Sequence, residues 1–267
     1  MESMNKVGYT AAHRAAEGQD NDACLRTLYE GCANLEAACD EGMTAAHIAA
    51  AQGNWKCLSF LREARVDLDA RSALGCTPLH SAALVGHIKC FKILRDAQVD
   101  VDAKGSDGWT AAHQSAFGNH PVCLRLLSDA NASLACPDKD GLTPGHLAAQ
   151  WGNVQCLSVL RDAGVSLVLR DNQGCTPKDV AVLYKQKSAV DFLVSLETLS
   201  GAEGSRRQFH HSQPGSAHVY RNCYMSGVPL KFCSRCKVVA YCGRACQAEH
   251  WQLGFHKRAC VPCVIPG

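Results

Sequence analysis

One motif recurs six times along the chain at a nearly constant step. YTAAHRAA (9–16), MTAAHIAA (43–50), CTPLHSAA (76–83), WTAAHQSA (109–116), LTPGHLAA (142–149) and CTPKDVAV (175–182) align without gaps. Their histidines, His13, His47, His80, His113 and His146, are spaced by 34, 33, 33 and 33 residues. A unit of this length cannot bury its apolar face alone, so six copies in register must stack into an array. Within each copy, Thr ahead of an Ala-rich run predicts an N-cap with a short helix behind it. Gly53, Gly86 and Gly152, near the ends of their runs, predict left-handed helix stops. A second apolar-periodic helix follows, such as IKCFKILRDA (88–97), and then a polar turn containing Gly and Asp.

The stretch TPLHSAA at 77–83 resembles the ankyrin signature TPLHxAA, and the likeness holds register across residues 8–197. The resemblance implies a mainly α fold: an ankyrin-repeat solenoid of six helix–turn–helix repeats with β-turn fingers. The expected repeats run at about 8–40, 41–73, 74–107, 108–140, 141–173 and 174–197, within a domain spanning 8–199. The last copy replaces His with Asp179 and carries Lys178, Lys185, Gln186 and Lys187, the polar outer face expected of a terminal cap.

Two recurring residue types invite a catalytic or metal reading and are better explained by packing. Cys24, Cys57, Cys90, Cys123 and Cys156 recur at one helix position. Neighbours in packed helices lie about 10 Å apart, too far to share a zinc ion with Zn–S distances near ~2.3 Å. They are expected to be small buried fillers. The five histidines are expected to bond the neighbouring Thr or turn backbone.

In ankyrin-like repeats, the residue between Gly and Thr of each finger, and those before the helix-ending Gly, face the concave side. The resemblance therefore places Tyr9, Met43, Cys76, Trp109, Leu142 and Cys175 there, with Leu84, Val85, Phe117 and Trp151, and Leu74 at a finger tip. A line of apolar and aromatic side chains along one groove is a candidate partner site, anchored by Trp109 and Trp151. The alternative is that they pack between adjacent fingers or against the rest of the chain.

Composition limits the remaining possibilities. Formal net charge is +2 and no apolar run approaches the ~20 residues of a bilayer span, so neither nucleic acid nor a membrane is called for. The opening MESMNKVGYTAAHRAAEGQD has no apolar h-region, so the expected setting is intracellular, cytoplasm or nucleus, and reducing. There the 17 cysteines are thiols or metal ligands; ten lie in residues 1–200 and seven in the last 45. SGAEGSRRQFHHSQPGSAHVYR (200–221) reads as a flexible tether, giving a linker at 200–219.

The tail carries Cys233-x2-Cys236, Cys242-x3-Cys246 and His256-x3-Cys260, with Cys223 upstream. Pairs at these spacings can converge on a tetrahedral ion, and a small segment poor in aliphatics needs the energy of bound zinc to fold. CSRCKVVAYCGRACQAEHW followed by HKRAC resembles the MYND-type zinc finger, here at 220–260. The resemblance implies two Zn2+ ions in a cross-brace. One site would take Cys233, Cys236, His256 and Cys260; the other Cys223, Cys242 and Cys246, with no obvious fourth ligand. His218, Ser226 through water, or nothing could complete it, and the Gly254-Phe255 region is longer than the family's usual spacing.

The function expected is a monomeric, non-enzymatic adaptor. Its ankyrin groove would hold one protein and its finger a proline-containing segment of another, as MYND fingers resemble extended-peptide readers. Two other readings of the finger stay open: recruitment of a ubiquitin-conjugating enzyme, and transcription-related binding of nucleic acid or a corepressor.

Overall fold

Each copy of the motif folds as a pair of helices. The computed structural model describes residues 4–5, 7–18, 21–199, 231–232 and 240–241, and the chain divides into two units, Met1–Glu203 and Gly204–Gly267. In the first unit the inner helices are α1 (Ala11–Glu17), α3 (Ala45–Gln52), α5 (Pro78–Val85), α7 (Ala111–Phe117), α9 (Pro144–Trp151) and α11 (Pro177–Leu183). The outer helices are α2 (Asp22–Glu30), α4 (Trp55–Glu63), α6 (Ile88–Asp96), α8 (Pro121–Asp129), α10 (Val154–Asp162) and α12 (Lys187–Leu199). Each inner helix packs on the next inner helix and on its own outer partner, so every repeat touches only its neighbours.

At seven or eight residues the inner helices are too short to persist alone. Alanine makes their packing possible. Ala45, Ala46, Ala49 and Ala50 of α3 are fully buried, because a methyl group lets neighbouring helices approach on several sides. The outer helices are amphipathic and supply the bulk. Leu58, Leu61, Phe91, Leu94, Leu124, Leu127, Leu157 and Leu160 are all fully buried. Each such side chain contributes on the order of 1.5–3 kcal/mol by leaving water.

Every inner helix starts at a Thr in extended conformation, from φ −89°, ψ 175° at Thr10 to φ −108°, ψ 174° at Thr110. Gly53, Gly86 and Gly152 end their helices with φ of 77°, 81° and 70°. Space as well as conformation demands glycine at Gly86, where a Cβ would fall against the His120 ring of the next repeat. The fingers join through single backbone bonds: Ala73 N–H donates to the Glu41 carbonyl, Ser106 to Leu74, Lys139 to Asp107 and Asn172 to Asp140.

In the second unit, β1 (Lys231–Phe232) pairs antiparallel with β2 (Ala240–Tyr241), with Lys231 opposite Tyr241 and Phe232 opposite Ala240. No helix among the described residues is long and apolar enough to cross a membrane.

Candidate docking groove

The finger residues expected along the concave side are fixed by the histidines of the preceding repeats. In each of the first five copies the His Nδ1 accepts the backbone N–H of its own Thr at 3.1 Å. A backbone N–H can only donate, so Nδ1 is unprotonated and the neutral ring carries its proton on Nε2. Nε2–H then donates to a finger carbonyl one repeat on: Met43, Cys76, Trp109, Leu142 and Cys175, at 2.8–3.0 Å. One ring thus caps its own helix and holds the next finger.

The sixth copy needs only half of this. Asp179 accepts from Thr176 N–H and Oγ1 at 2.9 and 2.8 Å, and has no donor to offer onward. Burial lowers the pKa of His47 and His113 to about 4, opposed by the carbonyls of Cys76 and Leu142 that accept from them. His80 and His146 are lowered for the same leading reason. These rings are structural and uncharged.

A second ladder was not anticipated from the sequence. Asn54 Nδ2 donates to the Ala16 carbonyl, His87 Nε2 to Ala51, His120 Nε2 to Leu84, Asn153 Nδ2 to Ala116 and Gln186 Nε2 to Gln150. Each tethers the start of an outer helix to a carbonyl near the C-terminal end of the previous inner helix. The available signal was a side-chain N–H donor recurring every 33 residues under changing identity.

The recurring cysteines form a third ladder. Cys57, Cys90, Cys123 and Cys156 are fully buried. Three of them point Sγ at a carbonyl of the preceding inner helix: Cys57 at Ala15, Cys90 at Ala49 and Cys156 at Ser115. Burial pushes Cys123 up to about 11, and Cys90 and Cys156 up to about 12, so all three are thiols at neutral pH. Cys24 departs from the expectation. It is exposed, since no described repeat covers that side of α2.

The apolar line itself divides. Leu74, Val85 and Trp151 are exposed at 39%, 46% and 39%, while Met43, Leu84, Phe117 and Leu142 are half-buried. Trp109, expected as a solvent-facing anchor, requires correction: it is buried, with 6% of its surface exposed. Its Nε1–H donates to Asp138 of the next finger at 2.9 Å, and its ring meets Phe117 at 5.6 Å. Phe117 in turn meets Trp151 edge-on at 5.3 Å. Trp109 therefore packs between fingers, and Trp151 is the exposed end of a three-ring chain. Burial raises the Asp138 carboxyl, against the N–H groups of Leu142 and Asp140 and the Trp109 indole that donate to it.

The terminal copy also differs from expectation. Val182 and Leu183 are each 54% exposed, so the end of α11 is apolar beside its lysines.

Among the described residues no group of three or more His, Cys, Asp or Glu side chains is arranged to hold a metal. The expected zinc ligands Cys223, Cys233, Cys236, Cys242, Cys246, His256 and Cys260 lie outside the described residues, as do His218 and Ser226. What the strands establish is order along the chain: Cys233 and Cys236 fall between β1 and β2, and Cys242 directly follows β2. A hairpin that separates two thiol pairs in this way suits the donor set of a two-site finger.

No curated protein matches the chain. A family model described as ankyrin repeats (3 copies) matches residues 1–72, 64–138 and 129–205, and one described as MYND finger matches 221–260. Ankyrin repeats and MYND fingers are protein-interaction modules rather than catalytic domains, and a MYND finger binds zinc. With repeats matched in three overlapping stretches and a finger behind them, the chain belongs to the ankyrin-repeat family and carries a MYND finger.

Proposed function

We propose that this protein is a non-enzymatic adaptor with one docking surface in its repeats and another in its finger. The observation that carries the first is the exposure of Leu74, Val85 and Trp151 along the line expected to face the groove. Met43, Leu84, Phe117 and Leu142 form the half-buried floor beside them, and the buried Trp109 supports Phe117. An exposed indole held from behind by other rings is rigid, and rigid aromatic side chains make the strongest anchors in protein interfaces.

The finger, proposed at 220–260 behind a linker at 200–219, takes a proline-containing segment of a second protein. Cys233, Cys236, His256 and Cys260 hold one zinc; Cys223, Cys242 and Cys246 serve a second. The metal supplies folding energy there and no chemistry. A tether of about twenty residues raises the effective concentration of one partner near the other, so two modest affinities combine.

The test is capture of interacting proteins by full-length chain, by Trp151→Ala/Val85→Ala and by Cys233→Ser. Each variant loses a different set of partners, and wild type holds members of both sets on one molecule. Partners that compete for the chain, or sets lost together in both variants, would refute the bridging role.

A further inference from the structure

The outer helices carry a surface that the groove does not use. Trp55 and Ile88 begin α4 and α6, and they are 39% and 38% exposed. Lys56 and Lys89 follow them, and one turn further Lys92 and Arg125 project from α6 and α8; all four are exposed. Lys89 Nζ lies 4.8 Å from the Trp55 ring centre and Lys56 Nζ 5.9 Å, so cations from two repeats meet over one indole.

The first turns of α4, α6 and α8 hold no carboxylate, and the positive ends of these three helices reinforce the lysines. Glu63 and Asp96, which pair with Arg26 and Arg95, lie at the opposite ends of α4 and α6. The patch has edges. The matching positions read Asp22 and Ala23 in α2, and Val154, Gln155 and Ser158 in α10. With a formal net charge of only +2, this is a local concentration of charge and not a property of the whole chain.

We propose that the face built on Trp55, Ile88, Lys89 and Lys92 docks an acidic protein segment carrying an apolar side chain. Carboxylates answer the cations of α4, α6 and α8, and the apolar side chain covers Trp55 and Ile88. Lysines alone would serve any polyanion. Two exposed apolar side chains set among them favour a peptide, which can present both chemistries within a few residues. Trp55, Lys89 and Lys92 belong to outer helices, whereas Val85 and Trp151 end inner helices, so variants at Lys89 and Lys92 and at Trp151 test the two readings apart.

The experiment is fluorescence anisotropy with full-length protein and a short labelled peptide of glutamates flanking one Phe. Saturable binding at low salt is expected, weakened about tenfold by Lys89→Glu/Lys92→Glu and weakening with ionic strength. Trp55→Ala, or Ser in place of Phe in the peptide, weakens it to a similar degree, whereas Trp151→Ala does not. Lys89 and Lys92 are exposed, so Lys89→Glu/Lys92→Glu keeps the wild-type unfolding midpoint. Binding indifferent to the peptide's Phe and to Trp55 overturns the proposal. So does binding of phosphatidylserine vesicles or a single-stranded RNA where the peptide does not bind.

Discussion

Cysteine is used in two ways at the two ends of this chain. In the repeats it recurs every 33 residues at one buried helix position, with Sγ of Cys57, Cys90 and Cys156 on backbone carbonyls of the preceding repeat. Burial there pushes the thiol up, to about 12 at Cys90, so the thiolate that would bind metal or attack an electrophile does not form at neutral pH. In the tail, by contrast, cysteines stand two or three residues apart in a sequence poor in aliphatic residues. Spacing decides the chemistry. A period equal to the repeat length makes the thiol a packing element, and a spacing of about one turn makes it a candidate ligand.

The contrast is broken most directly by removing zinc. Chelation is expected to abolish the folding energy of the finger, on the order of 10 kcal/mol per site. The array is expected to keep its thermal transition by far-UV circular dichroism while proteolysis within 220–260 accelerates. An array that melts earlier by several degrees would mean that its stability depends on the metal.

Acid sharpens the contrast from the other side. His47 and His113 have folded pKa values of about 4, below the 6.5 of a free imidazole, so the unfolded chain binds more protons than the folded one. Their contribution is complete above pH 6.5 and is lost as pH falls toward 4. At pH 5 the loss is about 2 kcal/mol per ring. Denaturant unfolding at pH 7 and pH 5 measures it, and a midpoint unchanged between them would contradict the neutral ladder.

Single substitutions give smaller effects. Cys90→Ala removes one buried sulfur atom and is expected to lower array stability by about 1 kcal/mol, with zinc content unchanged. Cys233→Ala, the same exchange in the tail, is expected to remove zinc. Equal zinc loss from the two would erase the distinction. The smallest effect is a gain. Gln98 ends α6 in the left-handed region at φ 59°, where a side chain costs about 1–2 kcal/mol. Glycine pays part of that back in unfolded-state entropy, so Gln98→Gly is expected to raise stability by less than about 1 kcal/mol.

Much of the array was legible because its key positions repeat in both place and identity. Thr at the helix start and His three residues on each announce one geometry; Gly marks the left-handed stop at Gly53, Gly86 and Gly152, while Asn119 and Lys185 take it in two other copies. Legibility failed where only one of the two repeats. The ladder of Asn54, His87, His120, Asn153 and Gln186 keeps the position and the donor but changes the residue. Trp109 was misplaced for a different reason. Periodicity gives its register, but its burial depends on Asp138, 29 residues later, which supplies an indole acceptor where the three preceding fingers have Cys39, Ser72 and Gly105. Left-handed stops at Arg65 and Gln98 carry no local mark, since neither residue favours that conformation. In the tail the sequence names the donors, while the fourth ligand of one site depends on which distant side chain reaches it.

The most direct test is alkylation of full-length protein with iodoacetamide before and after zinc chelation, read by peptide mass spectrometry. Protection of Cys57, Cys90, Cys123 and Cys156 throughout, with Cys233, Cys236, Cys242, Cys246 and Cys260 becoming reactive only after chelation, is the result expected. Tail cysteines that react equally without the chelator, or repeat cysteines unmasked together with them, would contradict the account.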